Sequence, residues 1–196
     1  AEPPDGEHND TFPTISIIVG FLFKLFGESL VVARLANIFF SLGSVIVFYL
    51  LIKALFGRED FALLCAFLAS VNPMYVFFSH NVDVINPGLF FMLLGAYYYI
   101  LWLKEQVSKF KFSYLYLAAF FVMLGTITKY TFIVIAIPMA LTFPYRKFIQ
   151  NKQKFIVPLV IAIVISSGFP GWFYYSEVYV KNNIFGKDIA KTILDS

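Results

Sequence analysis

The sequence predicts an all-α, polytopic transmembrane bundle, and three observations predict it. Hydrophobic residues make up 60% of the chain and charged residues only 14%, where a soluble domain carries about 25% charge. The mean hydropathy is +0.78. Apolar runs of about 20 residues, long enough as helix to cross a hydrocarbon core of about 30 Å, recur from Leu30 onward. These runs are continuous, whereas a transmembrane barrel needs short segments of alternating polarity. The expectation is about six spans and one interfacial helix.

Residues 1–13, AEPPDGEHNDTFP, precede the first apolar stretch and gather Asp5, Glu7, His8 and Asp10 into one short polar loop. The chain begins at Ala1 without a charged-then-apolar leader. The expectation is therefore a piece of a longer protein that has lost at least one preceding span. Pro13 is suited to open a helix, because its missing N–H has no partner in the first turn. Residues 14–26 are apolar but short, with Lys24 near the end and Gly27 after it. That pattern reads as a helix in the membrane interface.

The spans follow in order. The first runs from Leu30 to Phe56 and turns at Gly57-Arg58-Glu59-Asp60; the second runs from Phe61 to Phe78. Asn72-Pro73 interrupts the second, and such a break survives in a membrane only where protein or a cavity receives the freed backbone groups. A polar turn from His80 to Asn86 leads to a third span, Pro87 to Leu103. The fourth is Ser113 to Ile127, the fifth Tyr130 to Phe143, and Thr128-Lys129 joins them tightly. The sixth runs from Phe155 to Tyr175 with a bend expected at Pro170-Gly171, and residues 176–196 form a polar outer tail.

Orientation follows from the excess of Lys and Arg in short cytoplasmic loops. Lys53 with Arg58, Lys104 with Lys109 and Lys111, and Arg146, Lys147, Lys152 and Lys154 crowd three short loops on one side. The other side carries fewer cations, half of them in the tail. The acidic first loop is then expected outside, together with the Ser79-His80-Asn81-Val82-Asp83 turn, Lys129 and the nearby Arg34. Ionisable groups close to membrane depth are costly and mark substrate paths. Acids and a histidine beside two cations suit proton transfer or metal binding next to an anionic group. The same residues have plainer roles open to them: Asp10, His80 and Asp83 as helix caps, Lys129 snorkelling to the interface, Arg34 pairing with Glu28. Tyr97, Tyr98, Tyr99 and Trp102 read as an aromatic belt at a membrane boundary. The net charge of +3 is dispersed and gives no case for nucleic acid. The lone Cys65 has no partner for an internal disulfide.

Three stretches then carry a resemblance. Residues 21–57 hold a helix, Phe26-Gly27-Glu28-Ser29, Ala33-Arg34-Leu35 and a long span ending in Leu55-Phe56-Gly57. Residues 68–93 pair Asn72-Pro73 with the Ser-His-Asn-x-Asp turn, and residues 124–141 hold Thr128-Lys129-Tyr130-Thr131 before an apolar run with Pro138. In this order they resemble the C-type membrane glycosyltransferases, nearest to the protein O-mannosyltransferases and the lipid A aminoarabinose transferases. The resemblance implies a donor sugar on a polyprenyl phosphate, dolichyl or undecaprenyl, and transfer on the outer or lumenal face of an inner, plasma or endoplasmic reticulum membrane. It implies Asp5 or Glu7 as the catalytic base and Asp83 as a second outer acid beside His80. His8, Arg34, His80, Asp83 and Lys129 are the expected substrate-binding residues, with Lys129 and Arg34 for the phosphate. No cofactor is expected in the metal-free branch. Gly6 separates Asp5 from Glu7, however, a spacing closer to the metal-dependent oligosaccharyltransferases, where Mg or Mn would sit on those two acids. The family's basic or His residue before a Pro-Pro-Leu is missing; Thr11-Phe12-Pro13-Thr14 stands near that place. A transporter or flippase of an anionic or lipid substrate is the alternative; it calls for polar residues deep in the spans, and few stand there beyond Asn37, Ser41 and Ser44.

Overall fold

A computed structural model of the chain describes residues 14–81, 83–105 and 112–174. Those residues form helices and connecting turns, with no strand among them. The order is α1 (Thr14–Phe26), α2 (Leu30–Phe56), α3 (Glu59–Ser70), α4 (Pro73–Ser79), α5 (Ile85–Glu105) and α6 (Ser113–Thr128). A 3₁₀ turn (Tyr130–Ile135), α7 (Ala136–Leu141), α8 (Tyr145–Gln150), α9 (Lys152–Ser166) and α10 (Gly168–Phe173) complete it. The fold is an all-α membrane bundle.

α2 shows how the composition becomes architecture. Ser29 opens the helix by accepting the Val31 N–H, and Gly57, at φ 70°, closes it with its N–H on the Lys53 carbonyl. Leu35, Phe39, Leu42 and Ile46 recur at helical spacing and all lie exposed, as a lipid-facing stripe does. Asn37, Ser41 and Ser44 repeat on the opposite face and are buried. A helix this apolar gains nothing by hiding its leucines from lipid, so the inward face is chosen by small and polar residues.

That inward face receives the interruption anticipated at Asn72-Pro73. α3 and α4 are bent by 65° at Val71-Asn72. The Asn72 Oδ1 accepts the amides of Met74 and Tyr75, at 3.0 and 3.2 Å, and Pro73 occupies the first helical position, where no N–H is needed. Tyr75 Oη then donates to the Ser41 carbonyl at 2.6 Å. The elbow is a capped joint pinned to α2.

α5 and α6 make the most extensive helix contact, through glycine. A Cβ on Gly125 would stand 3.0 Å from the Met92 nitrogen, and one on Gly95 3.0 Å from the Val122 nitrogen. Such near-contact of backbones is the small-residue packing by which membrane helices associate. Towards the Glu105 end this pair opens into an aromatic core where Tyr99, Trp102, Leu115, Ala118 and Phe155 are buried together. Trp102 is fully buried and stacks on Phe143. The aromatic belt expected at Tyr99 and Trp102 is therefore corrected: these two rings face inward, because α7 and the turn after it cover them, Tyr99 Oη donating to the Met139 carbonyl and Trp102 lying on Phe143. A second cluster joins Ile15 and Val19 of α1 to Ala33, Ala36 and Phe40 of α2.

The expected spans differ in length. Among the described residues three helices are long and apolar enough to cross a membrane, Leu30–Phe56, Ile85–Glu105 and Lys154–Trp172, or four if the bent pair Glu59–Ser70 and Pro73–Ser79 is one span. The expected fourth and fifth spans are helical but shorter. α6 rises roughly 24 Å at 1.5 Å per residue, and the fifth begins as a 3₁₀ turn before α7. The last span runs on through Ser167, which joins α9 to α10 with helical backbone, and Pro170-Gly171 falls inside α10.

Candidate functional site

The helix order places three predicted site elements at one end of the bundle. α2 and α5 run parallel, with Phe40 of α2 against Phe90 and Phe91 of α5. α6 returns antiparallel to α5, so Gly125 near its end meets Gly88 and Met92 near the start of α5. Lys129 is thereby carried to the end where Arg34, His80 and Asp83 lie.

The turn bearing His80 and Asp83 hangs from two buried asparagines. Asn37 of α2 donates its Nδ2 to the Asn81 carbonyl and, at 3.4 Å, to the Phe78 carbonyl. Asn86 of α5 donates to the same Phe78 carbonyl at 2.8 Å. Both side chains are essentially fully buried. The carbonyls that close α4 lie past its regular turns; the Phe78 carbonyl takes the Asn81 N–H at 3.3 Å, and the two amides add side-chain donors. The turn is therefore held from both sides, while His80 itself stays exposed. Its Nδ1 lies 3.0 Å from Ser79 Oγ and 2.9 Å from the Val76 carbonyl, which fixes the ring and leaves Nε2 open.

Lys129 ends α6: its N–H reaches the Gly125 carbonyl at 3.0 Å while its backbone turns extended. Its side chain is half-buried. Beside it Thr128, buried to 1% exposure, meets Thr14 Oγ1 at 2.8 Å. This contact ties the first described residue of α1 to the Lys129 corner. Arg34 is exposed on α2, and no ion pair with Glu28 forms; among the described residues the ion pair present is Lys53 with Glu59 at 2.9 Å, at the opposite end. Asp83 is half-buried.

The predicted base residues Asp5 and Glu7, with His8 and Asp10, lie outside the described residues. Among the described residues no group of three or more His, Cys, Asp or Glu side chains is placed to hold a metal; Asp5 and Glu7, the pair expected to bind Mg or Mn, are not among them. The polar residues that a transporter reading needed are spent on the fold. Ser41 Oγ bonds the Asn37 carbonyl and Ser44 Oγ the Phe40 carbonyl, one turn back in each case. Asn37 holds the turn, with its Oδ1 alone left unpartnered.

A family model described as dolichyl-phosphate-mannose-protein mannosyltransferase matches residues 10–172, most of the chain. The chain belongs to that family. It is thus an integral membrane protein and a C-type, mannosyltransferase-like glycosyltransferase. Neither a curated protein nor a solved structure matches the chain.

Within this mannosyltransferase-like chain, sequence reasoning singled out His80, Asp83, Lys129 and Arg34 as candidates but missed the residues that hold the His80 turn and the Lys129 corner. Thr14, Thr128 and Asn86 gave no chemical signal of their own. Asn37 was visible as a polar residue inside an apolar span, a signal that pointed to a substrate path rather than to the turn it supports.

Proposed function

We propose that this chain is part of a transferase that moves a hexosyl or pentosyl group from a polyprenyl-phosphate donor to a hydroxyl of a protein, lipid or glycan acceptor, on the outer or lumenal face. The observation that carries the reading is the gathering of Thr14, Lys129 and the His80–Asp83 turn at one bundle end, within the region matched by the family. The Thr14–Thr128 contact supports a first loop that reaches this end, because the acidic residues stand just before Thr14 in the chain.

The chemistry that suits these residues is direct displacement. Asp5 or Glu7 accepts the proton of the acceptor hydroxyl as its oxygen attacks the anomeric carbon. The bond from that carbon to the phosphate oxygen breaks, and the polyprenyl phosphate leaves with the electron pair. The leaving group is already a stable anion, so the demand on the protein is for cations. Lys129 and Arg34 meet that demand; His8, His80 and Asp83 orient donor and acceptor hydroxyls.

Transfer of labelled sugar from a panel of polyprenyl-phosphate donors, by membranes holding the full-length protein, tests the reading. Asp5→Asn or Glu7→Gln should lower turnover by at least 10²-fold, the scale of a general base, while insertion is retained. Near-normal turnover in both variants removes the base assignment. Loss of transfer in EDTA and its return with Mg²⁺ or Mn²⁺ identifies the metal-assisted form.

A further inference from the structure

The opposite end of the bundle carries a second constellation that transfer chemistry does not use. After Phe143 the chain turns at Pro144 into α8, and α9 starts directly after Asn151. Arg146, Lys147, Lys152 and Lys154 are all exposed on this corner. No acid occurs in the sequence between Glu105 and Glu177, so the α8–α9 segment itself is purely basic. Between the two helices lies a notch of about 360 Å³ lined by Ile149, Gln150, Asn151, Lys152 and Lys154.

The corner is amphipathic in three dimensions. Phe148 packs inward against Phe143 and Phe155, anchoring α8 beneath the aromatic core. Tyr145 and Ile149 remain 54% and 63% exposed, and Ile156, Val157 and Val160 continue that apolar surface along α9. Exposed apolar side chains therefore adjoin a notch lined by cations, at the start of the membrane-crossing helix Lys154–Trp172. Two requirements are met at one place: positive charge with amide donors for a phosphate, and an adjoining apolar wall for the chains attached to it.

We infer that the α8–α9 corner is a binding site for an anionic phospholipid, its phosphate headgroup in the notch by Lys152 and the Gln150 and Asn151 amides, with Arg146 exposed on the adjoining α8, and its acyl chains along Ile149, Ile156 and Val160. A soluble phosphate would satisfy the cations but leave the apolar wall unused, so the occupant is the lipid. The site is separated from the Lys129 end by the length of α5, roughly 30 Å, and is independent of the transfer reaction.

The test is retention of phosphatidylglycerol through detergent washing, measured by mass spectrometry on the full-length protein, with phosphatidylcholine as the neutral comparison. Wild type should retain phosphatidylglycerol saturably and in preference. R146Q with K152Q should weaken retention by roughly fivefold for each cation removed, and R146K with K152R should restore it. The double variant R58Q with K104Q removes equal charge elsewhere and should leave retention unchanged. Equal retention of the two lipids, or equal loss in the R58Q and K104Q control, overturns the site. Displacement of the lipid by millimolar glycerol phosphate overturns the lipid assignment, because it makes the phosphate alone sufficient.

Discussion

Asn37 shows how a single polar residue is read differently before and after packing is known. Inside an apolar helix an amide costs free energy unless it is hydrogen-bonded, so its presence calls for a reason. Its neighbours supply one: the Phe78 and Asn81 carbonyls, just past the last turn of α4, accept its amide, and Asn86 shares the first of them. Replacing Asn37 with Leu keeps the volume and removes the donor. The expected cost is about 1 kcal/mol, read as a lowered unfolding midpoint. Because Asn37 and Asn86 grip one carbonyl, the double variant N37L with N86L should depart from additivity by at least about 0.5 kcal/mol. Strictly additive losses would mean that the two amides act separately. The same residue scale explains the visibility of the site. Charged side chains in a chain with so few are conspicuous, which made His80, Asp83, Arg34 and Lys129 legible. A threonine at a helix end is not, and Thr14 with Thr128 emerged only from their contact.

At the scale of elements, the elbow between α3 and α4 and the seam between α5 and α6 behave oppositely. The elbow was legible because its cause is local: Asn caps and Pro starts a helix whatever lies around them. The seam was not, because glycine in a membrane helix marks close approach without naming the partner. Gly125→Ala places a methyl against the Met92 nitrogen and the Gly88 carbonyl, backbone atoms that cannot rotate aside. It should destabilise the bundle by about 1–3 kcal/mol, the usual cost of overpacking. Gly20→Ala, where an added Cβ meets nothing within 4 Å, is the matched control and should be neutral. If both variants melt alike in detergent, the seam is not a close-packed one. The shorter α6 and the 3₁₀ start of the next element have the same origin: hydropathy reports where a helix is apolar, whereas α6 ends where the backbone turns extended at Lys129.

For the whole molecule, the two bundle ends differ in kind. One collects Arg34, His80, Asp83, Lys129 and the start of α1; the other collects the aromatic core and the α8–α9 cations. A chain read this way should expose the two ends to different compartments. In a Cys65→Ser background, a membrane-impermeant thiol reagent applied to sealed vesicles should label Lys129→Cys and Lys152→Cys from opposite sides. Labelling of both from one side would overturn the orientation and with it the outward-facing site.

The sequence by itself determined that this is a helical membrane protein, which segments are apolar, where the second span breaks and which charged residues stand apart. Each of these follows from composition or from chemistry confined to a few neighbouring residues, and the order of three loose motifs was enough to point to the family. Only the tertiary structure decided that Tyr99 and Trp102 face a core, that Asn37 serves the His80 turn, and that Thr14 meets Thr128. These contacts join residues far apart in the chain. In a membrane, where inward and outward faces are almost equally apolar, no periodicity announces them; close packing and the need to satisfy every buried polar group select them instead.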